Sequence, residues 1–256
     1  MSQPSLPSFQ PPSLPLALSN IPRSGFEILR LSISLQRLTS KAPRGDGHPV
    51  LALPGYGGGD GSMRIMRDFL NKIGYQSFAM DLGVNFEPAE ERIQCIEDAV
   101  AFREKMSALV MQRVDDIVEQ TGQAVTLIGW SMGGLYAFDV SQAAPEKVRQ
   151  LITLGAPFGD PRGTSMYKLM RIINRSTIPI EAQDFSLWMD KTDLSTDTVP
   201  IKIIFSEQDG IVAPAIAQLA EHECVEHIEV ASSHVGFTHN VDVYGLIAEL
   251  LAELPQ

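Results

Sequence analysis

Residues 124–137, AVTLIGWSMGGLYA, decide the fold. The stretch opens on a short apolar run with β-branched residues, the pattern of a strand buried on both faces. It closes on MGGLYAFDVSQAA, residues 132–144, which reads as a helix stopped near Pro145. Between them Gly129-Trp130-Ser131-Met132-Gly133 matches G-x-S-x-G. Five such residues are a weak signal alone, since a serine between glycines also suits any tight turn. The strand before and the helix after give it meaning. A sharp strand-to-helix turn lifts the serine hydroxyl above the sheet edge, and the glycines let neighbouring backbone pass where a Cβ would clash. The helix N-terminus then sets unsatisfied N–H groups beside the hydroxyl.

Working outward, the same alternation repeats. PVLALP (49–54), YQSFAMD (75–81), VRQLITLGAP (148–157), VPIKIIFSEQD (199–209) and HIEVAS (227–232) read as further strands. Helical patterns fall between them. One covers about 62–73 and stops at Gly74, and a long one covers 88–120, with Phe102, Met106, Leu109, Val110, Val114 and Ile117 on one stripe. The last covers 240–253, with Asn240 as N-cap. Short apolar strands alternating with helices predict an α/β architecture, a mostly parallel sheet flanked by helices. Residues 24–41 lean toward helix, and residues 1–23, rich in proline, read as an extended arm. The domain proper is then 24–256. Segment 158–198 interrupts the alternation. Its TSMYKLMRIINR (164–175) is amphipathic, with Met166, Leu169, Met170 and Ile173 on one face, and the segment reads as a small helical cap over the carboxyl ends of the strands.

Composition narrows the partners. A formal net charge of -11 argues against nucleic acid, which needs a basic patch, and works against a membrane surface. A neutral small-molecule ester is unaffected. No window offers a membrane-spanning apolar run, and the N-terminus lacks the basic start of a signal peptide, so the expectation is a soluble, cytoplasmic chain. Cys95 reads as a buried residue in a helical pattern. EHECVEH (221–227) reads as a helix end leading into a strand rather than a metal site, and neither metal nor cofactor is implied.

A serine is inert at neutral pH without a base, and the base needs an orienting acid. Of the five histidines, His234 directly follows the sixth strand, at the carboxyl end where Ser131 also sits. His239 is the runner-up, His48 precedes the first strand at the wrong end, and His222 and His227 lie in or beside regular elements. Asp209 follows the fifth strand on a turn with Gly210, with Glu207 as rival; Asp60 and Asp81 come before the serine. LPGYGGGD (53–60) can bring backbone N–H groups to a substrate carbonyl, and the donors expected are the N–H groups of Tyr56 and Met132. A phosphate loop is the competing reading, but the stretch lacks the required lysine and does not match G-x-G-x-x-G. Trp130, Met166, Met170 and Trp188 are the expected substrate-binding residues, suited to an apolar acyl group.

Taken in order, LALPGYGGG, IGWSMGG, LGAPFGD, SEQDGIV and SSHVGF resemble the α/β-hydrolase family, and within it the bacterial lipase and esterase-like members. The resemblance spans residues 50 to 240. It implies a Ser131, Asp209, His234 triad and acyl transfer to water through an acyl-enzyme. Two departures stand out. The histidine-glycine pair usual at the oxyanion turn is Pro54-Gly55 here, and the first two strands common in the family are not evident before residue 48. A thioesterase or acyltransferase would use the same residues, and a catalytically silent scaffold would share the fold.

Overall fold

The computed structural model describes residues 10–194 and 199–253. Its centre is a six-stranded sheet of β1 (Pro49–Leu53), β2 (Gln76–Ala79), β3 (Val125–Trp130), β4 (Val148–Leu154), β5 (Ile201–Phe205) and β6 (Val225–Glu229). The spatial order is β2-β1-β3-β4-β5-β6, and every pair is parallel. The helices are α1 (Leu14–Lys41), α2 (Arg64–Ile73), α3 (Ile96–Thr121), α4 (Met132–Ala143), α5 (Ser165–Ile173), α6 (Ser186–Met189) and α7 (Val241–Glu253).

Strand periodicity sorts the core into two layers. Leu51, Leu53, Leu127, Leu151 and Ile203 face α3, α4 and the β4–β5 connection. Val50, Ala52, Ile128, Ile152 and Ile204, their chain neighbours, face α2 and α7, with Leu31 of α1. Both faces are covered, which is why these strands read as unbroken apolar runs. The helix stops fall as expected: Gly74 and Gly122 end α2 and α3 at φ 109° and 69°, values that favour glycine. The Asn240 side chain accepts the Asp242 N–H at 2.9 Å and caps α7. Among the described residues no helix is long and apolar enough to cross a membrane.

Several boundaries move. Residues 14–23, expected to be an extended arm, are the first turns of α1; residues 1–9 lie outside the described residues. Pro15 sits in the first turn, where a missing N–H costs nothing, and Pro22 lies on the exposed side. Buried Asn20, Glu27 and Leu31 anchor the helix. The long helix starts at Ile96 rather than Pro88. Cys95 is its N-cap rather than an interior residue, and it is half-buried, its N–H and thiol both donating to the Asp98 carboxylate at 3.2 and 3.3 Å. The sixth strand is paired over 225–229 rather than 227–232. In the β4–β5 connection the buried face of α5 is Tyr167, Met170 and the capping Asn174, with Met166 partly covered. Leu169 and Ile173, expected on that face, are 46% and 48% exposed, because they lie about 100° and about 60° around the helix from Met170, the nearer edge of the inward stripe. Residues 195–198 of this connection lie outside the described residues.

Candidate active site

The turn from β3 into α4 leaves one residue, Ser131, to reverse the chain. It does so at φ 54°, ψ -125°, a strained conformation for a residue with a Cβ. The surroundings hold it there. Its N–H donates to the Leu154 carbonyl of β4 at 2.9 Å, and its carbonyl accepts the Gly134 N–H at 2.9 Å. Glycine on either side is obligatory. A Cβ at Gly129 would stand 2.5 Å from Gly133 O, and one at Gly133 would stand 2.7 Å from Pro54 O. The Ser131 side chain forms no hydrogen bond within the described residues and is 9% exposed.

Asp209 lies just beyond β5 and is buried. One carboxylate oxygen accepts the N–H groups of Ile211 and Val212, at 2.7 and 3.0 Å, which locks the turn. The other lies 2.6 Å from Nδ1 of His234, in the loop between β6 and α7. His234 Nε2 has no partner among the described residues, so the ring is held at one nitrogen and open at the other. Glu207, the rival acid, is exposed and forms no ion pair with a histidine among the described residues.

The other histidines are placed elsewhere. His48 sits at the amino end of β1, between Asp46 (2.5 Å) and Thr126 (3.0 Å). Burial pulls its basicity below the ordinary value, against the opposing pull of Asp46. His239 binds the Thr238 hydroxyl at 2.7 Å, and burial lowers it too. His222 accepts the Cys224 N–H in a turn, and His227 lies on β6 with a buried Nε2 lacking a partner among the described residues.

The glycine-rich turn after β1 brings Gly55 against the serine; a Cβ there would stand 2.9 Å from Ser131 Cβ. The N–H groups of Tyr56 and Met132 have no acceptor among the described residues. Sequence reasoning missed what fixes this turn. Fully buried Asn85 donates to the Pro54 carbonyl at 3.0 Å, and its backbone exchanges bonds with Gly57 (2.6 Å) and Gly58 (2.8 Å). Its side-chain oxygen accepts the Tyr136 hydroxyl at 3.0 Å. The Tyr56 hydroxyl donates to Glu87 at 2.5 Å, and Glu87 also accepts from Asn174 at the end of α5. Burial, then Glu87, pushes the Tyr56 phenol far above its usual range, so it stays protonated. No motif marks Asn85 or Glu87; both act only through contacts distant in sequence.

A narrow apolar cavity of about 30 Å³ opens beside Ser131 and Met132. Met166, Tyr167, Met170 and Trp188 of the β4–β5 connection line it, opposite Ile96 and Ala99 of α3. Three of the four expected substrate-binding residues therefore converge here. Trp130 does not. It is on the same strand face as Ile128, the α2 and α7 side, because side chains two apart share a face. Its indole N–H donates to the His234 carbonyl at 2.9 Å and its ring lies tilted against the imidazole, centroids 5.7 Å apart, so it braces the histidine loop.

Residues 48–208 match the family model for the alpha/beta hydrolase fold, more than half of the chain. The chain belongs to the alpha/beta hydrolase fold family. The matched span contains Ser131, ends immediately before Asp209 and leaves His234 outside it. Solved members of similar shape include the monoacylglycerol lipase of Paleococcus ferrophilus, at 17% identity, 82% of this chain and 95% of that one, TM-score 0.54. Another is from the metagenome-derived lipolytic enzymes LipS and LipT, at 18% identity, 83% and 96% coverage, TM-score 0.58. A third is a Bacillus licheniformis lipase in mature form, at 15% identity, 82% and 94% coverage, TM-score 0.58. At these identities the likeness is one of fold. No curated protein sequence matches this hydrolase-fold chain significantly.

Proposed function

We propose that the protein is a serine hydrolase that cleaves carboxylic esters with an apolar acyl group. One observation carries the reading: the buried Asp209 carboxylate lies 2.6 Å from His234 Nδ1 while the strained Ser131 opens onto an apolar cavity. In this reading His234 Nε2 takes the Ser131 proton as the hydroxyl oxygen attacks the ester carbonyl. Asp209 holds the imidazole in the tautomer that keeps Nε2 a base, and stabilises the imidazolium that forms. The N–H groups of Tyr56 and Met132 receive the oxyanion. His234 then protonates the leaving alcohol, and water activated by the same ring releases the acid. The serine-to-histidine hydrogen bond closes with substrate, as such bonds commonly do.

The 158–198 segment acts as the cap and acyl-chain wall through Met166, Met170 and Trp188. The cavity is lined by apolar side chains apart from Ser131 and Thr164, with the Tyr167 hydroxyl turned to Gln183. That favours an alkyl acyl group, and no metal or cofactor takes part.

The test is hydrolysis of p-nitrophenyl esters across a chain-length series by wild type and by Ser131→Ala. Wild type should turn over, and Ser131→Ala should lose on the order of 10⁴-fold or more in kcat. Full activity in Ser131→Ala would overturn the assignment. Turnover of acyl thioesters with idle oxygen esters would keep the triad and change the substrate.

A further inference from the structure

Helix α1 lies outside the span that matches the family, yet its polar side chains reach the loops that carry Asp209 and His234. Asn20 is the clearest case. Its side-chain oxygen accepts two backbone N–H groups, that of Gly210, next to the acid, at 3.2 Å and that of His234 itself at 2.9 Å. Its side-chain nitrogen donates to the carbonyls of Leu16 (2.9 Å) and Gln208 (3.2 Å). An amide offers two donors and two acceptor sites, and here all four are used, so the surroundings admit one orientation. The residue is 6% exposed. The fit is close: a Cβ on Gly210 would stand 2.7 Å from Ala17 Cα.

One and two turns further along the same face, Ser24 and Glu27 hold the histidine loop. The Ser24 hydroxyl lies 2.9 Å from the Ser233 hydroxyl, and Glu27 accepts the Ser233 N–H at 3.0 Å and the Ser233 hydroxyl. Glu27 secures one loop alone. Asn20 bridges both, because a single oxygen ties the residue after the acid to the base.

We propose that Asn20 is a positioning residue that sets the acid loop and the histidine loop in register, with α1 as its rigid carrier. The proposal rests on the triad reading above. Loss of the bridge leaves the Gly210 and His234 N–H groups without their acceptor and loosens two loops that are also joined by the Asp209–His234 pair and by the Ser206 hydroxyl, which accepts the Ser232 N–H at 3.1 Å. The consequence falls on the transition state, which needs Nε2 correctly aimed, more than on substrate binding in a cavity that α1 does not line.

The experiment compares wild type, Ser131→Ala, Asn20→Ala and Arg23→Ala. Steady-state ester hydrolysis is read together with the low-field proton signal of the His234 Nδ1–H···Asp209 hydrogen bond. Asn20→Ala should lower kcat by about 10- to 100-fold with KM nearly unchanged, and should shift or broaden the low-field signal. Arg23→Ala removes the other α1 contact to the Gln208 carbonyl, at 3.3 Å, and should leave both readouts as in wild type. A folded Asn20→Ala protein with wild-type kcat and an unchanged signal would overturn the proposal, as would an equal loss in Arg23→Ala. If Asn20→Ala does not fold, Asn20→Ser, too short to span both N–H groups, carries the same expectations and the same overturning result. Should Ser131→Ala retain full turnover, the triad reading falls, and the proton signal alone still decides whether Asn20 holds the two loops together.

Discussion

Around Ser131 the chain leaves room for hydrogen atoms only. A Cβ on Gly133 would press on backbone, 2.7 Å from Pro54 O and 2.8 Å from Leu53 C, and neither can move without shifting β1. Gly133→Ala should therefore cost about 1–3 kcal/mol through overpacking, read as a lower urea midpoint at unchanged m-value. It should also cost rate, since the displaced backbone carries the Pro54–Tyr56 turn. That Ser131, Asp209 and His234 lie at one end of the sheet was legible in the sequence for one physical reason: Ser131 directly follows β3, Asp209 and His234 lie in the loops after β5 and β6, and such positions share one end of a parallel sheet. Trp130 was not legible in the same way. Adjacency to the serine suggested contact with substrate, but the pleat sends it to the opposite face, where its N–H holds the His234 carbonyl. Whether a strand-end residue faces the cavity or the far layer depends on which parity is buried against which helices, and short runs apolar on both faces do not encode that.

At the scale of elements, the glycine-rich turn after β1, proposed to carry an oxyanion donor, depends on Asn85, which lies in the β2–α3 connection and is fully buried. Asn85→Ala removes the bond to the Pro54 carbonyl and leaves the Tyr136 hydroxyl without its acceptor. We expect a loss of about 1–3 kcal/mol in stability from the unsatisfied buried groups. We also expect a fall in kcat that exceeds any rise in KM, measured by ester hydrolysis and urea denaturation of the same preparation. Strands and helix stops were readable because apolar runs and glycine positions are local signals. The first turns of α1 were not. Pro15 and Pro22 argue for an extended arm when taken alone. The helix persists because one proline occupies the first turn, the other faces solvent, and the polar residues between and beyond them find partners about 200 positions away. The same applies to α5, where an inward face chosen from hydrophobicity alone includes Leu169 and Ile173, which the fold turns outward.

At the scale of the molecule, buried His48 and half-buried His239 link stability to pH. Burial lowers His48 and His239 below their ordinary value of 6.5, so above that value both are neutral, folded or unfolded, and exert no effect. As pH falls through 6.5 the unfolded chain takes up these protons before the folded one does, and stability drops until the folded-state values are passed. Urea denaturation between about pH 7.5 and 5.5 should show the decline, and His239→Gln should make it shallower by removing one of the two contributions. An equal slope in the variant would show that His239 does not carry its share. The contacts of α1 also bear on how the molecule comes into being. Asn20 and His234 are separated by 214 residues, so during synthesis the helix emerges long before the loops that receive it exist. Contacts at such distances close late, after the loop entropy between them has been spent. The nascent helix can pack on α2 early, but its polar face has no histidine loop to bind until the last strand is made. In the proposed reading the site is therefore completed late: a ribosome-bound chain that already contains Ser131 lacks its histidine loop until the residues after β6 have been made.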